Sequence, residues 1–496
     1  MFYLLSSLIN ALRKRPWVLH CTMGALFVLT ILLAFQAVLP LNVIFLAPDA
    51  PLEPHSFGEA LKGLWKPAPA LLNCFRLLPF EVGYEGSFIA DLFIMCGAAM
   101  FLLRGYAVPW AAAWVGGFAA AFMGYFSTLF CAGHRGVVDA LAITCFAFGF
   151  ILRGIQRSQW RWFVGLGCLL PFGLAAQADI WFIVMLAVIT YALYLFVLQC
   201  RTEKAVLSPI RQILPGIVLL TLCFFITGWP ALRHTFGAAQ ETRATQLQAA
   251  TAHTASTSAE KEARWQFTTD WSLPPEDCKD LIIRNAQGCT SYSFDPNPYR
   301  GRMGSASLTL RQHSIHFFWF NLLLALIAVC YKDSPTLKTH RFFWAALGII
   351  TLILAFGRYT PLYRLLWELP ILQDIRAPIK WLHLTGFAVA ILAGFGAAKL
   401  HAKLPFFAPL ACLILALNGV ATIRPFVFPI ALPTATDFAA LPRTTKVVAA
   451  PHFHALVRYY GLIPTDNPYE AQAGLLLRPA RHGFKLELIT ANTHSL

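Results

Sequence analysis

The chain has 496 residues, of which 57% are hydrophobic and 13% are charged, and its formal net charge is +15. This charged fraction and the mean hydropathy of +0.60 exclude an ordinary soluble domain, in which about a quarter of the residues are charged. The basic residues cluster in short loops between apolar runs, as membrane orientation requires. We therefore expect no nucleic-acid partner.

Apolar runs of about 20 residues, the length needed to cross a bilayer, recur along most of the chain. They predict an all-α polytopic membrane protein with about 11 transmembrane helices. The first run is longer than the core of a signal peptide, which is about 7–15 residues, so it predicts an uncleaved span. The predicted spans lie near residues 17–39, 87–103, 107–129, 137–152, 162–176, 180–199, 210–229, 314–331, 342–356, 379–398 and 404–423.

Basic residues cluster in the loops on one side of these spans. The stretch "RKR" precedes the first span, and the loops 153–161, 200–211, 331–341 and 399–403 are all basic. Because basic loops stay in the cytoplasm, the N-terminus is predicted inside and the C-terminus outside a cytoplasmic membrane.

This orientation places the larger polar segments on the outer side. A membrane domain, 1–430, is predicted to carry outer loops at 40–86, 230–313 and 357–378. Residues 431–496 form a small extracytoplasmic segment, for which alternation such as "FKLELI" predicts β or α/β structure.

Two cysteines lie in the outer segment "CKDLIIRNAQGC", namely Cys278 and Cys289. An oxidising compartment and the short spacing favour a disulfide between them. Two unpaired thiols are the alternative.

Several common motifs of binding and catalytic sites are absent from the sequence. The chain has no GxxxxGK[ST], HExxH, CxxC or GxSxG pattern, so an ATP-driven pump or a membrane zinc protease has no support. We predict no metal site and no cofactor.

The first outer loop, "LNVIFLAPDAPLEPHSFGEALKGLW", carries Asp49 and Glu53. A carboxylate at the membrane surface can act as a general base on an acceptor hydroxyl. We therefore predict Asp49 as the catalytic residue and Glu53 as a substrate-binding residue. The alternative for Asp49 is a turn, since it lies between two prolines.

Further polar residues lie near the outer ends of predicted spans: Asp91, Asp139 and Asp179. Ionisable residues in such places are costly and often functional, although near a helix start they can also be caps. His134, in "AGHRGVVDA", is a substrate-binding candidate or a polar turn residue.

The stretch "GRYTPLYRLLWELPILQDIRAPIKW" carries Arg376 and Lys380, which share a face if the following helix extends back to residue 376. A guanidinium and an ammonium near a helix start form a good phosphate site. Snorkelling towards lipid headgroups is the alternative. On the outer face, however, the orientation rule disfavours unneeded basic residues, which favours a functional role.

Several segments together resemble one known family. "FGRYTPLYRLLWELPILQDIRAPIKWLHLTGFAVAILAGFGA" looks like the signature segment of the YfhO-like bacterial membrane proteins, "GxxTPLY…LP…FRxPxR". "FTTDWSLPPEDCKDLI", "NPYRGRMG" and "LRQHSIHF" resemble the outer segment of that family, and "STLFCAGHRGVVDALA" its GH turn. The resemblance covers most of residues 17–400.

The resemblance implies a GT-C-type fold and activity in the inner membrane of a bacterium. Such enzymes move a sugar from a polyprenyl-phosphate carrier to a lipid or glycan acceptor of the cell envelope. On this pattern Asp49 takes the acidic position of the first loop, Arg376 meets the carrier phosphate, and Arg358 is a second phosphate candidate. The first loop has no DxD pair, so a divalent metal is not supported, and Lys380 replaces the family's second arginine without its bidentate fork.

Two other functions remain open at this point. A transporter or flippase for a lipid-linked or anionic solute would use the same basic residues, but it should show broken or polar helices in mid-membrane and repeated halves. A non-catalytic envelope scaffold would hold a partner with the outer segments.

Overall fold

In the computed structural model, many apolar helices lie side by side, and a small sheet is formed largely by the C-terminal segment. The structure describes residues 16–40, 43–45, 74–78, 80–129, 133–204, 206–251, 257–288, 299–303, 314–331, 335–369, 372–373, 375–427, 429–431, 443, 445–448, 463–465, 473–480 and 483–490.

Within these residues, eight helices are long and apolar enough to cross a membrane, and three further apolar helices are shorter. A helix suits such a run because it satisfies every backbone polar group within its own segment. The first half of the chain forms α1 (Pro16–Ala34), α2 (Phe80–Gly105), α3 (Trp110–Ala121), α4 (Gly124–Ser127), α5 (Arg135–Arg157), α6 (Trp160–Ala176), α7 (Ala178–Glu203) and α8 (Leu207–Thr251). The second half forms α9 (Thr257–Thr269), α10 (Trp319–Cys330), α11 (Pro335–Ala355), α12 (Pro361–Trp367), α13 (Leu382–Lys403) and α14 (Phe407–Ile423).

The predicted all-α polytopic class is confirmed, and each predicted span corresponds to one apolar helix. Apart from shifts of several residues at helix ends, two predicted spans contain a non-helical stretch. The run 107–129 is broken after Ala121, and the run 314–331 becomes helical only at Trp319.

The chain segments at these two breaks are hydrogen-bonded to each other. The backbone N–H of Gly124 donates to the carbonyl of His316 at 2.9 Å, and the N–H of Ser314 donates to the Thr128 hydroxyl at 2.8 Å. Because each non-helical stretch bonds the other, neither leaves these backbone groups unsatisfied in the apolar bundle.

Helix α13 lies at the centre of the bundle. In its candidate span 94% of the most apolar window is buried, against 17% for the span in α8. It packs on α3, α10 and α11, and the contact with α10 is close because a Cβ at Gly396 would lie 2.0 Å from the carbonyl oxygen of Leu324. The C-terminal half of α13 therefore packs directly against the backbone of α10.

In the described part of the chain, the sheet has six strands: β1 (Val43–Phe45), β2 (Pro429–Ala431), β3 (Lys446–Val448), β4 (Ile463–Thr465), β5 (Ala473–Ala480) and β6 (Gly483–Thr490). Their order in the sheet is β1-β2-β6-β5-β3-β4. Strands β5 and β6 form an antiparallel hairpin, and β1, from the first predicted outer loop, pairs antiparallel with β2. The loop segment just before Asp49 is thereby joined to the segment after the last helix.

The predicted loop 357–378 is largely ordered structure. Its helix α12 packs on α9, with Trp265 and Trp367 edge to face at a centroid distance of 5.3 Å, and the Trp367 indole donates to the Thr268 hydroxyl at 3.1 Å. We call α9, α12 and the turn Gly357–Tyr359 the α9–α12 layer. Gly357 is required in this turn, because its φ is +48° and a Cβ would lie 2.2 Å from the Ser272 hydroxyl oxygen.

Candidate functional site

Charged side chains come together where α5, α7 and α13 begin. Arg135 is the first residue of α5, Asp179 is the second of α7, and Lys380 lies in the turn Pro378–Trp381 just before α13. Helix α2 packs against α5 and adds a further carboxyl group. We call the following side chains the polar cluster: Asp91, Arg135, Asp139, Asp179, Lys380 and His383.

The ammonium of Lys380 forms a hydrogen-bonded ion pair with the carboxylate of Asp179. The two side chains are 18% and 21% exposed, so the pair is partly shielded from water. Asp179 also accepts from the amide of Gln177 at 2.9 Å and from the N–H of Ile180 at 2.8 Å. The carboxylate thus accepts a backbone hydrogen bond in the first turn of α7, whose N-cap is Gln177, and it also binds the start of α13.

A pair of carboxyl groups lies deeper in the same region. Asp91 is 0% exposed and Asp139 is 1% exposed, and the two side chains are direct neighbours. The Arg135 guanidinium lies 3.6 Å from the Asp139 carboxylate. Apart from the neighbouring Asp139, the described residues offer no hydrogen-bond partner to either oxygen of Asp91. Buried carboxyl groups on apolar helices of this kind are candidates for function.

His383 completes the polar cluster, and sequence reasoning did not identify it. Its ring stacks on Tyr125 at a centroid distance of 4.1 Å and an angle of 9°, and the residue is 5% exposed. Within the described part of the chain, neither ring nitrogen has a hydrogen-bond partner. The only signal in the sequence was its spacing, since it lies three positions after Lys380 on the same helical stretch.

The ring of His383 lines a small cavity with room for about one water molecule. Met123, from the break between α3 and α4, and Tyr125, from α4, also line this cavity. The Tyr125 hydroxyl donates to the carbonyl of Ile379 at 3.3 Å. The turn that carries Lys380 is therefore tied directly to one wall of this cavity.

Arg358 lies in the α9–α12 layer and is bound to backbone. Its guanidinium donates to the carbonyls of Gln266 at 2.7 Å and Thr269 at 2.9 Å, at the C-terminal end of α9. The Asp270 carboxylate is 3.6 Å away. These contacts give Arg358 a structural role, and its predicted contact with phosphate stays a prediction.

Arg376 and Lys380 do not share a helical face. Ala377 has a φ of +67° and the turn begins only at Pro378, so the helix does not extend back to residue 376. Arg376 is exposed and its guanidinium lies over the ring of Phe267 at 4.2 Å. Lys380 instead pairs with Asp179.

The remaining predicted residues are placed as follows. His134 is exposed and immediately precedes α5. Cys278 is half-buried, and burial, with the charges of Asp277 and Glu276 beside it, raises the pKa of its thiol. Its disulfide stays a prediction. The residues Asp49, Glu53 and Cys289 lie outside the described part of the chain.

The described residues contain no group of three or more His, Cys, Asp or Glu side chains arranged to hold a metal ion. The cluster has other chemistry to offer. Lys380 and Arg135 can bind anionic oxygens, and the carboxyl groups can accept or donate protons.

Fold and site together define an all-α polytopic membrane protein with a charged cluster at one end of its helices. No protein family and no curated protein matches the sequence. One solved structure that matches this chain at a low level is the archaeal oligosaccharyltransferase AglB from Archaeoglobus fulgidus, in complex with an inhibitory peptide and a dolichol-phosphate. The TM-score is 0.36 and the identity 10%, over 92% of this chain and 65% of that one. The YfhO-like resemblance stays a prediction.

Proposed function

We propose that this protein is a membrane glycosyltransferase that moves a sugar from a polyprenyl-phosphate carrier to an acceptor of the bacterial cell envelope. The observation that carries the proposal is the polar cluster, where cations and buried carboxyl groups converge at one end of apolar helices. A lipid-linked phosphate places its chain among apolar helices and its anionic group at their ends. Lys380 lies at such a place, in the turn that leads into the central helix.

In the proposed reaction an acceptor hydroxyl attacks the anomeric carbon of the carrier-linked sugar. The proton of the hydroxyl passes to the Asp49 carboxylate, the general base predicted from the sequence. The bond between the anomeric carbon and the phosphate oxygen breaks, and its electron pair stays on the phosphate. Lys380, with Arg376 nearby in sequence, stabilises the negative charge that develops on this leaving group. Arg358 acts as a positioning residue by fixing the C-terminal end of α9.

The test is sugar transfer by the purified protein in lipid nanodiscs, with radiolabelled polyprenyl-phosphate sugars and a mixture of envelope glycolipid acceptors. Asp49→Asn and Lys380→Ala should each abolish transfer while the protein still inserts. Glu368→Gln is the matched control, because Glu368 is exposed and pairs at 2.5 Å with Lys261, which is not a member of the polar cluster. Normal transfer by the Asp49 and Lys380 variants would refute the mechanism.

A transporter or flippase for an anionic or lipid-linked solute is the second candidate. It is favoured by the two helix breaks that meet near Gly124 and Ser314, and by the buried carboxyl group of Asp91. Broken helices and buried ionisable residues are typical of transport sites. Movement of a labelled polyprenyl phosphate across proteoliposomes, lost in Asp91→Asn and without sugar transfer, would favour this function over the first.

A further inference from the structure

The ion pair between Lys380 and Asp179 means that the proposed phosphate-binding ammonium already has a counter-ion. We propose that Asp179 is an exchangeable counter-ion, which a phosphoryl group of the substrate displaces from Lys380, and that it thereby sets the affinity of the site for lipid-linked phosphate. The inference rests on the proposed function, because it concerns the substrate group of the same site.

Asp179 can lose Lys380 without becoming an unsatisfied buried carboxylate. It keeps the hydrogen bonds from the Gln177 amide at 2.9 Å and the Ile180 N–H at 2.8 Å. It also lies in the first turn of α7, a helix of 26 residues, where the helix dipole favours a negative charge. The usual penalty for breaking a buried pair comes from the charge left behind, and here that penalty is small.

Lys380 can change partners without a change in the fold. The backbone of its turn is fixed, because the Ile379 N–H donates to the Trp271 carbonyl at 3.0 Å and the Ile379 carbonyl accepts from Tyr125 at 3.3 Å. The ammonium sits on a flexible four-carbon chain that is 18% exposed. A rotation of this side chain is enough to exchange a carboxylate for a phosphoryl oxygen.

His383 gives a second and independent indication of a ligand here. It is 5% exposed, and neither of its ring nitrogens has a partner among the described residues. Lys380 lies three positions earlier, in the turn that leads directly into the helix of His383, so the two side chains are near neighbours. A phosphoryl group held by Lys380 has oxygens that accept hydrogen bonds, and an imidazole N–H is a suitable donor for them.

A purely structural ion pair predicts different behaviour. In that case Asp179 and Lys380 only join α7 to the start of α13, and removal of either charge lowers stability without favouring any ligand. Under the exchange proposal, removal of the Asp179 charge leaves Lys380 unpaired and ready for phosphate. The sign of the effect on binding therefore separates the two roles.

The experiment measures binding of polyprenyl phosphate to the full-length protein in nanodiscs, with polyprenol and inorganic phosphate as parallel ligands. Asp179→Asn, which keeps the side-chain oxygen for Ile180, should tighten polyprenyl-phosphate binding by roughly tenfold and leave polyprenol binding unchanged. Lys380→Ala should remove the preference for the phosphate over the alcohol. The double variant should bind like Lys380→Ala alone, because there is no ammonium left to release.

Glu368→Gln is the matched control, since it releases Lys261 from an exposed pair in the same chemical way and should change nothing. Thermal unfolding of each variant reports whether it is folded. Unchanged or weaker binding by folded Asp179→Asn would overturn the proposal, as would tightening in Glu368→Gln. An equal shift for inorganic phosphate would identify free phosphate as the source of the phosphoryl group. Tighter phosphate binding by Asp179→Asn, together with no sugar transfer by the unaltered protein, would refute the glycosyltransferase and leave this inference standing.

Discussion

The guanidinium of Arg358 binds the end of α9 by donating to the carbonyls of Gln266 at 2.7 Å and Thr269 at 2.9 Å. The last carbonyls of a helix have no partner within the helix, so an arginine at this position satisfies them. Arg358, the basic residue of the sequence "GRYTPLY", therefore stabilises the α9–α12 layer.

Arg358→Ala should therefore destabilise the protein. We expect a loss of about 2 kcal/mol in unfolding free energy, the size of one or two hydrogen bonds from a charged donor. Arg358→Lys should recover only part, because an ammonium lacks the guanidinium fork. Tryptophan fluorescence during thermal unfolding is the measurement, since Trp265 and Trp367 lie in this layer. Unchanged stability with lost transfer would instead indicate direct contact with substrate.

The close contact between α10 and α13 gives a second prediction. Gly396→Ala places a Cβ 2.0 Å from the Leu324 carbonyl oxygen. Because this oxygen belongs to the backbone of α10, it cannot move aside unless the two helices separate. We expect a loss of roughly 1–3 kcal/mol. Gly24→Ala is the matched control, because no atom lies within 4 Å of the added Cβ. Since alanine favours helix over glycine, that variant should be neutral or slightly more stable. Equal behaviour of the two variants would contradict the packing.

Asp91 should be replaceable in the fold but needed for function. Its carboxyl group is 0% exposed and, apart from Asp139 beside it, has no hydrogen-bond partner among the described residues. Asp91→Asn keeps the shape and removes an ionisable group from an apolar site, so stability should be unchanged or higher by about 1 kcal/mol. Transfer or transport activity should fall by at least about tenfold, which is typical of a lost proton donor or acceptor. A variant that is clearly less stable would show that Asp91 is structural.

The stability of the segment around His316 should depend on pH. Burial lowers the pKa of His316 below its usual 6.5, and its Nε2–H donates to the Ile282 carbonyl at 2.9 Å. The unfolded chain binds a proton first as the pH falls, so stability should decrease from about pH 6.5 down to the lowered pKa and then level off. The slope from this group is at most about 1.4 kcal/mol per pH unit. His316→Gln should flatten it, and an unchanged pH profile in that variant would exclude His316 as the source.

The sequence by itself determined the class of the protein. Apolar runs of sufficient length specify helices because lipid leaves no other partner for the backbone, and these runs are local features that composition reveals. The same local reading placed Asp139 and Asp179 near helix starts and identified 357–381 as an unusually polar stretch. It also predicted strands after the last helix, which the structure contains.

Only the tertiary structure decided which of these residues meet. Lys380 and Asp179 are 201 positions apart, so no sequence pattern connects them, and the left-handed Ala377 separates Lys380 from Arg376. In the sequence, His383 is one polar residue in an apolar run. In the structure, Tyr125, which follows the break after α3, stacks on its ring. Pairings of this kind depend on helix packing over long separations. The length of an apolar run specifies each helix but does not specify its neighbours.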